Sequence, residues 1–82
     1  MIHDSYDQKI GVGSIVGYHK TSSDTCYIAE IIEIVEEYDF GPGSLKNAGR
    51  IRINLRYSMP MKVPVKMKPI VVDSRSVVLL PI

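Results

Sequence analysis

The chain has 82 residues and a formal net charge of +1, and 45% of its residues are hydrophobic. This length corresponds to one domain with a small core, and the hydrophobic content is too high for a disordered chain. The single cysteine, Cys26, excludes a disulfide framework within the chain and favours a reducing compartment. Because the sequence contains neither a signal-peptide pattern nor an apolar run of about 18 residues, we expect a cytoplasmic protein that makes no membrane contact.

Charge is distributed unevenly along the chain. Residues 1–44 contain eight acidic and two basic side chains, whereas residues 45–82 contain eight basic and one acidic, so the halves carry −6 and +7. If the halves pair as neighbouring strands, ion pairs between them contribute about 0.2–1 kcal/mol each. The alternative is a basic face that meets an acidic partner.

The N-terminal part of the chain changes character near Ile10. Residues 1–9 are polar, which predicts a flexible arm that frays, and we place a single domain over residues 10–82. A turn then leads into a first short strand over 14–18, and a polar loop follows over 19–25.

The segment 26–37 (CYIAEIIEIVEE) is the longest run dominated by β-branched residues. Its glutamates at 30, 33 and 37 fall at helical spacing, but Ile and Val pack better on a pleated sheet, and turn residues flank the segment on both sides. It is therefore predicted to be a long central strand. Its alternation slips at Ile31–Ile32, which predicts either a β-bulge or burial on both faces there.

The second half of the chain contains three further predicted strands. After a Gly- and Pro-bearing loop over 38–49, the segment 50–57 alternates apolar and basic residues as a half-buried antiparallel strand does. Its three prolines place 58–69 at a sheet edge or in a loop. Short strands over 70–72 and 77–80 flank Asp73–Ser76, where a single 3-10 turn is expected.

This order of elements resembles a known family of small barrels. The stretch Gly-Ser-Ile-Val-Gly-Tyr at 13–18, the bent strand containing Tyr27-Ile28-Ala29-Glu30-Ile31, the turn at 73–76 and the Val-Val-Leu-Leu-Pro ending at 77–81 are similar to Src-homology-3-like domains, nearest to the Tudor type. The resemblance covers roughly residues 11–81. It implies an all-β, five-stranded antiparallel barrel with at most one short 3-10 turn.

The resemblance also implies an aromatic surface. Tudor-type domains hold methylated Lys or Arg in a cage of aromatic rings that attract a cation. The rings that such a cage would draw on here are Tyr18, Tyr27, Tyr38, Phe40 and Tyr57. The alternative is that these rings cover the ends of the barrel.

Catalytic and metal-binding patterns are lacking in the sequence. His3 and His19 have no second ligand at metal spacing, and Cys26 is more typical of a small core residue than of a nucleophile with His19 as its base. We therefore predict a non-enzymatic protein without a cofactor or metal.

The basic residues suggest two kinds of partner. A stripe of side chains suits phosphate contacts and a DNA or RNA partner, with Tyr57 stacking on a base; it comprises Arg50, Arg52, Arg56, Lys62, Lys66 and Lys68. However, the pI of about 7.9 is low for a dedicated nucleic-acid binder.

The rival prediction is a small regulator or adaptor that binds a protein through an edge strand and the Met/Pro/Lys segment at 58–69, where Met59, Met61 and Met67 provide adaptable apolar contact. Self-association through the Val-rich last strand is a further alternative. Charge placement separates the two classes. Arginines that contact glutamates of the central strand favour protein binding, and unpaired arginines favour nucleic acid.

Overall fold

The computed structural model describes residues 2–20, 25–38, 48–59 and 61–80. Within these residues the fold is all-β and antiparallel, with one 3-10 turn at Ser74–Ser76. The strands are β1 (Ile2–His3), β2 (Lys9–Ile10), β3 (Ile15–His19), β4 (Cys26–Tyr38), β5 (Ala48–Met59), β6 (Val63–Pro64), β7 (Ile70–Asp73) and β8 (Val77–Leu79). In the described part of the chain, no helix has the length and apolar character that a membrane span needs.

The five predicted strands correspond to β3, β4, β5, β7 and β8. The expected 3-10 turn between β7 and β8 is confirmed, and the Asp73 carboxylate caps it by accepting a hydrogen bond from the backbone N–H of Arg75. Within the 58–69 segment, β6 pairs only with β5 among the described strands, which confirms the predicted edge position.

The larger sheet has the order β6-β5-β4-β3-β8, and β7 also pairs with β5. Three short strands, β1, β2 and β6, are additional to the five that were predicted. The pairing among the described residues does not return to its starting strand, so the structure is an open antiparallel sheet and the closed five-stranded barrel is not confirmed.

The central strand β4 is irregular where the sequence predicts it. Its register with β5 shifts between Ile31 and Glu33, which confirms the bulge expected near Ile31–Ile32, and shifts again between Ile34 and Glu36. Each shift places one extra residue on β4, namely Ile32 and Val35, whose exposed fractions are 39% and 44%. Bulges of this kind bend a strand and increase its twist.

The core lies on one face of β5. Ile51, Ile53 and Leu55 are buried, as the alternation of this strand predicts. They pack with residues of β3, β4 and β8, and the remaining members of the cluster are Ile2, Ile10, Val16, Ala29, Ile31 and Val77.

The prediction of a flexible arm over residues 1–9 is wrong for the described residues 2–9. Strands β1 and β2 pair with each other, Ile2 and Ile10 join the core, and Asp4 is fully buried. The segment covers the outer edge of β8, where Ser5 N–H donates to the Val77 carbonyl and Asp4 Oδ2 accepts from Leu79 N–H at 2.6 Å. An exposed strand edge needs such partners, and the N-terminal residues provide them.

Candidate binding site

The basic face of the molecule is built from β5 and the hairpin that follows it. The pleat of β5 places arginine side chains on the solvent side because its apolar residues fill the core. Tyr57 and Ser58 then pair with Pro64 and Val63 across a tight turn. Lys62 lies in this turn with φ 54°, a left-handed conformation that non-glycine residues adopt uncommonly.

Two arginines of the predicted stripe are paired with glutamates of β4. Arg52 donates to Glu33, and Arg56 Nη1 donates to Glu30 Oε1 at 2.9 Å. All four side chains keep a third or more of their surface exposed, so each pair contributes at most about 1 kcal/mol to stability. The guanidinium groups are nevertheless partly neutralised.

The bulges of β4 decide which residues stand opposite Arg52 and Arg50. After Ile31 pairs with Ile53, a regular register would set Ile32 opposite Arg52. The extra residue instead sets Glu33 opposite Arg52. The second bulge likewise sets Glu36 opposite Arg50, which also has Asp73 of β7 on its other side in the register.

A groove of about 600 Å³ lies between the second half of β5 and the segment after β6. Leu55, Val65 and Met67 contribute apolar side chains to it, and Met67 is 49% exposed. The groove is lined by Asn54, Leu55, Arg56, Tyr57, Pro64, Val65, Lys66, Met67 and Lys68. An apolar surface with several cations beside it fits an acidic ligand that carries aliphatic side chains.

A smaller recess of about 290 Å³ shares Arg56 and Tyr57 with the groove. The Lys62 ammonium stands 5.4 Å from the centre of the Tyr57 ring, within range of a cation–π interaction. Of the six predicted basic residues, Arg56, Lys62, Lys66 and Lys68 therefore line two recesses joined at Tyr57. Arg50 and Arg52 line neither of these recesses.

The described tyrosines do not converge into one cage. Tyr18 and Tyr27 stack across β3 and β4, with ring centres 6.5 Å apart and planes 26° from parallel, and both pack against the core. Tyr57 stands opposite Ile28 in a different recess, and Tyr38 is at the far end of β4 opposite Ala48. Phe40 lies outside the described residues.

His19 and Cys26 are opposite each other in the register of β3 and β4, and both are exposed. They line a recess of about 220 Å³ together with Gly17, Tyr18, Ser76 and Val78. No group of three or more His, Cys, Asp or Glu side chains that could hold a metal is found within residues 2–20, 25–38, 48–59 and 61–80.

No protein-family model, curated protein or solved structure matches this chain. The groove is therefore the feature of the described residues from which a function can be inferred. Sequence reasoning missed Val65 as part of its wall and Ile32 and Val35 as exposed aliphatic residues. The slip in alternation at Ile31–Ile32 was the available signal for Ile32, because the extra residue of a bulge is left unpaired.

Proposed function

We propose that this protein is a non-enzymatic binding module whose groove between β5 and residues 64–68 takes an acidic, aliphatic segment of a partner protein. The single observation that carries the proposal is the difference in ion pairing between the arginines and the lysines of the basic stripe. Arg52 and Arg56 are bonded to glutamates of β4, whereas Lys66 and Lys68 form no ion pair with any described residue and flank the exposed side chain of Met67.

This arrangement supports a protein ligand over a nucleic acid. Phosphate binding gains affinity from several free cations along one strand, because each contact releases counterions. Here the guanidinium groups of Arg52 and Arg56 already have carboxylate partners, which a phosphate would have to displace. Two free lysines beside a methionine suit a ligand that combines carboxylates with aliphatic side chains.

We further propose that the fold is a Src-homology-3-like barrel of the Tudor kind. The support is the pairing order. β3 pairs with β4 and β8, and β5 pairs with β4 and β7. The three-residue turn between β7 and β8 brings the two ends of the sheet close in space, as a barrel requires. The bent strand β4 is the usual means of curving such a small sheet.

The test uses a displayed library of random peptides together with direct binding measurements. We expect enrichment of peptides that contain Asp or Glu next to Ile, Leu or Val. Their binding is expected to be lost in the Lys66→Glu/Lys68→Glu variant and kept in a Lys9→Glu/Lys20→Glu variant, which makes the same change of charge outside the groove. Failure to enrich any such peptide would refute the proposal.

Nucleic acid is the competing outcome of a parallel measurement. A short single strand and a short duplex are titrated at about 50 and 200 mM salt, where phosphate binding falls steeply. Tight, salt-sensitive binding that Lys66→Glu/Lys68→Glu abolishes would assign the basic residues to phosphate. We also expect Arg52→Glu/Arg56→Glu to abolish partner binding while the fold survives, since Arg56 lines the groove and both pairs lie on the surface.

A further inference from the structure

A second exposed surface carries charged side chains of the opposite sign to those of the groove. The outer half of β4 beyond Ile31, which we call the β4 edge (Ile32–Glu37), pairs with β5 on one side, and no described strand pairs with it on the other. Ile32, Ile34 and Val35 are 38–44% exposed there. They are interspersed with Glu36 and Glu37 and with Glu33, whose carboxylate is paired with Arg52, so the edge combines aliphatic and acidic side chains.

Backbone pairing is not the way in which this edge would bind. Two bulges interrupt it, and bulges and charged residues are the devices that protect exposed strands from adding a further strand. The opposite edge, β6, carries Pro64, which cannot donate a backbone hydrogen bond. Contact between side chains remains available, because the bulges leave Ile32 and Val35 outside the core.

The two surfaces are complementary. The groove presents Lys66 and Lys68 beside Met67, and the β4 edge presents glutamates beside aliphatic residues. The edge therefore has the composition that the groove is argued to select. We propose that the β4 edge of one molecule docks in the groove of a second copy of this chain. This inference rests on the proposed function and names the partner of the same groove.

The geometry of such an assembly follows from the positions of the two surfaces. The groove lies between the second half of β5 and residues 64–68, whereas the β4 edge belongs to the strand that pairs with the first half of β5, so the contact joins unlike surfaces of two molecules. A head-to-tail contact of this kind leaves one groove and one edge free in every dimer. Association is therefore expected to continue with concentration unless the assembly closes into a ring.

The first experiment measures mass by sedimentation equilibrium over a range of concentrations. We expect the average mass to rise above the monomer value of 9.2 kDa. An edge variant (Ile32→Ser/Val35→Ser/Glu36→Gln) and a groove variant (Lys66→Gln/Met67→Ser/Lys68→Gln) are each expected to stay monomeric. An equimolar mixture of the two is expected to form dimers and nothing larger, because it contains one intact groove and one intact edge.

The matched control is Lys9→Gln/Val12→Ser, which removes one exposed lysine and one exposed valine from other parts of the surface and is expected to associate like the wild type. All the substituted side chains are exposed, and circular dichroism verifies that each variant is folded. Association that persists in either the edge or the groove variant, or a mixture that stays monomeric, would overturn the inference.

A synthetic peptide of residues 30–38 (EIIEIVEEY) provides an independent test that does not depend on any edge variant folding. It is expected to bind the wild type and the edge variant but not the groove variant. Binding is expected to weaken when its aliphatic residues at 32, 34 and 35 are replaced by Ser, and also when its glutamates are replaced by Gln. If library peptides bind the groove while this peptide does not and the wild type stays monomeric, the self-association fails and the proposed function stands.

Discussion

Asp4 is the residue whose replacement tests the role of the N-terminal segment most directly. Its carboxylate is fully buried and accepts three backbone hydrogen bonds, from Tyr6 at 3.0 Å, Gln8 at 2.8 Å and Leu79 at 2.6 Å. Its own carbonyl accepts from Arg75 Nη1 at 2.8 Å. One side chain thus closes the turn between β1 and β2 and binds that turn to the edge of β8.

The magnitude follows from what Asp4→Ala leaves behind. Tyr6 and Gln8 are exposed, so water replaces the acceptor at both N–H groups and most of their cost is recovered. Leu79 is only partly exposed, and leaving its N–H unpaired costs about 1–3 kcal/mol. Because charge-assisted hydrogen bonds are also lost, we expect Asp4→Ala to lower the free energy of unfolding by about 3–4 kcal/mol in total. Asp4→Asn keeps one acceptor and is expected to lower it by about 1–2 kcal/mol.

The assay is equilibrium unfolding in urea, where the midpoint and the slope are measured together. An 82-residue domain has a free energy of unfolding of about 4–12 kcal/mol, so the expected loss is a large part of it. Asp73 provides the matched control, because it also caps a turn but is exposed and accepts a single bond from the described residues, so that Asp73→Ala costs about 1 kcal/mol. An effect of Asp4→Ala no larger than that of Asp73→Ala would refute the reasoning.

Three further predictions concern stability. Gly49→Ala is expected to lower the free energy of unfolding in urea by at least about 2 kcal/mol, because the added Cβ would clash with the Glu36 carbonyl oxygen. In the control Gly11→Ala the added Cβ meets nothing within 4 Å, so the free energy of unfolding is expected to change by no more than about 0.5 kcal/mol. Ile2→Ala is expected to cost about 2–4 kcal/mol, and a value near zero would support a free arm. The pKa of Asp7 is lowered from 3.8, chiefly by its hydrogen bond to His3. The contribution of ionised Asp7 to the stability of the fold is therefore complete above the unfolded-state pKa and is lost as the pH falls through the lower folded-state pKa. Asp7→Asn is expected to make the melting temperature fall less steeply as the pH is lowered through this range.

The parts of the fold that depend on local patterns were predictable from the sequence. The alternation of apolar and basic residues over 50–57 gave both the strand β5 and its buried face. The slip at Ile31–Ile32 gave the first bulge, and the Asp-Ser-Arg-Ser stretch at 73–76 gave the 3-10 turn. In each case the conformation of the backbone follows from residues that are neighbours in the sequence.

The N-terminal hairpin was not predictable in the same way. Residues 1–9 are polar in composition, and polar termini usually fray. What holds this segment is the contact of Asp4 with Leu79, and the burial of a carboxylate there has no signal in the local sequence. A buried polar group requires partners, and the partner that joins Asp4 to the sheet, Leu79, is 75 residues away along the chain.

The basic stripe was predicted as residues but not as a site. Arg50, Arg52 and Arg56 lie on the solvent face as expected, yet the choice between free and paired guanidinium groups depends on which β4 residues lie next to each one. The bulges decide that register for Arg52 and Arg50, because without them Ile32 would stand opposite Arg52 and Ile34 opposite Arg50. The extra residue Ile32 therefore brings Glu33 opposite Arg52 and also exposes an aliphatic side chain on the β4 edge, so this ion pair and the proposed docking edge have a common structural origin.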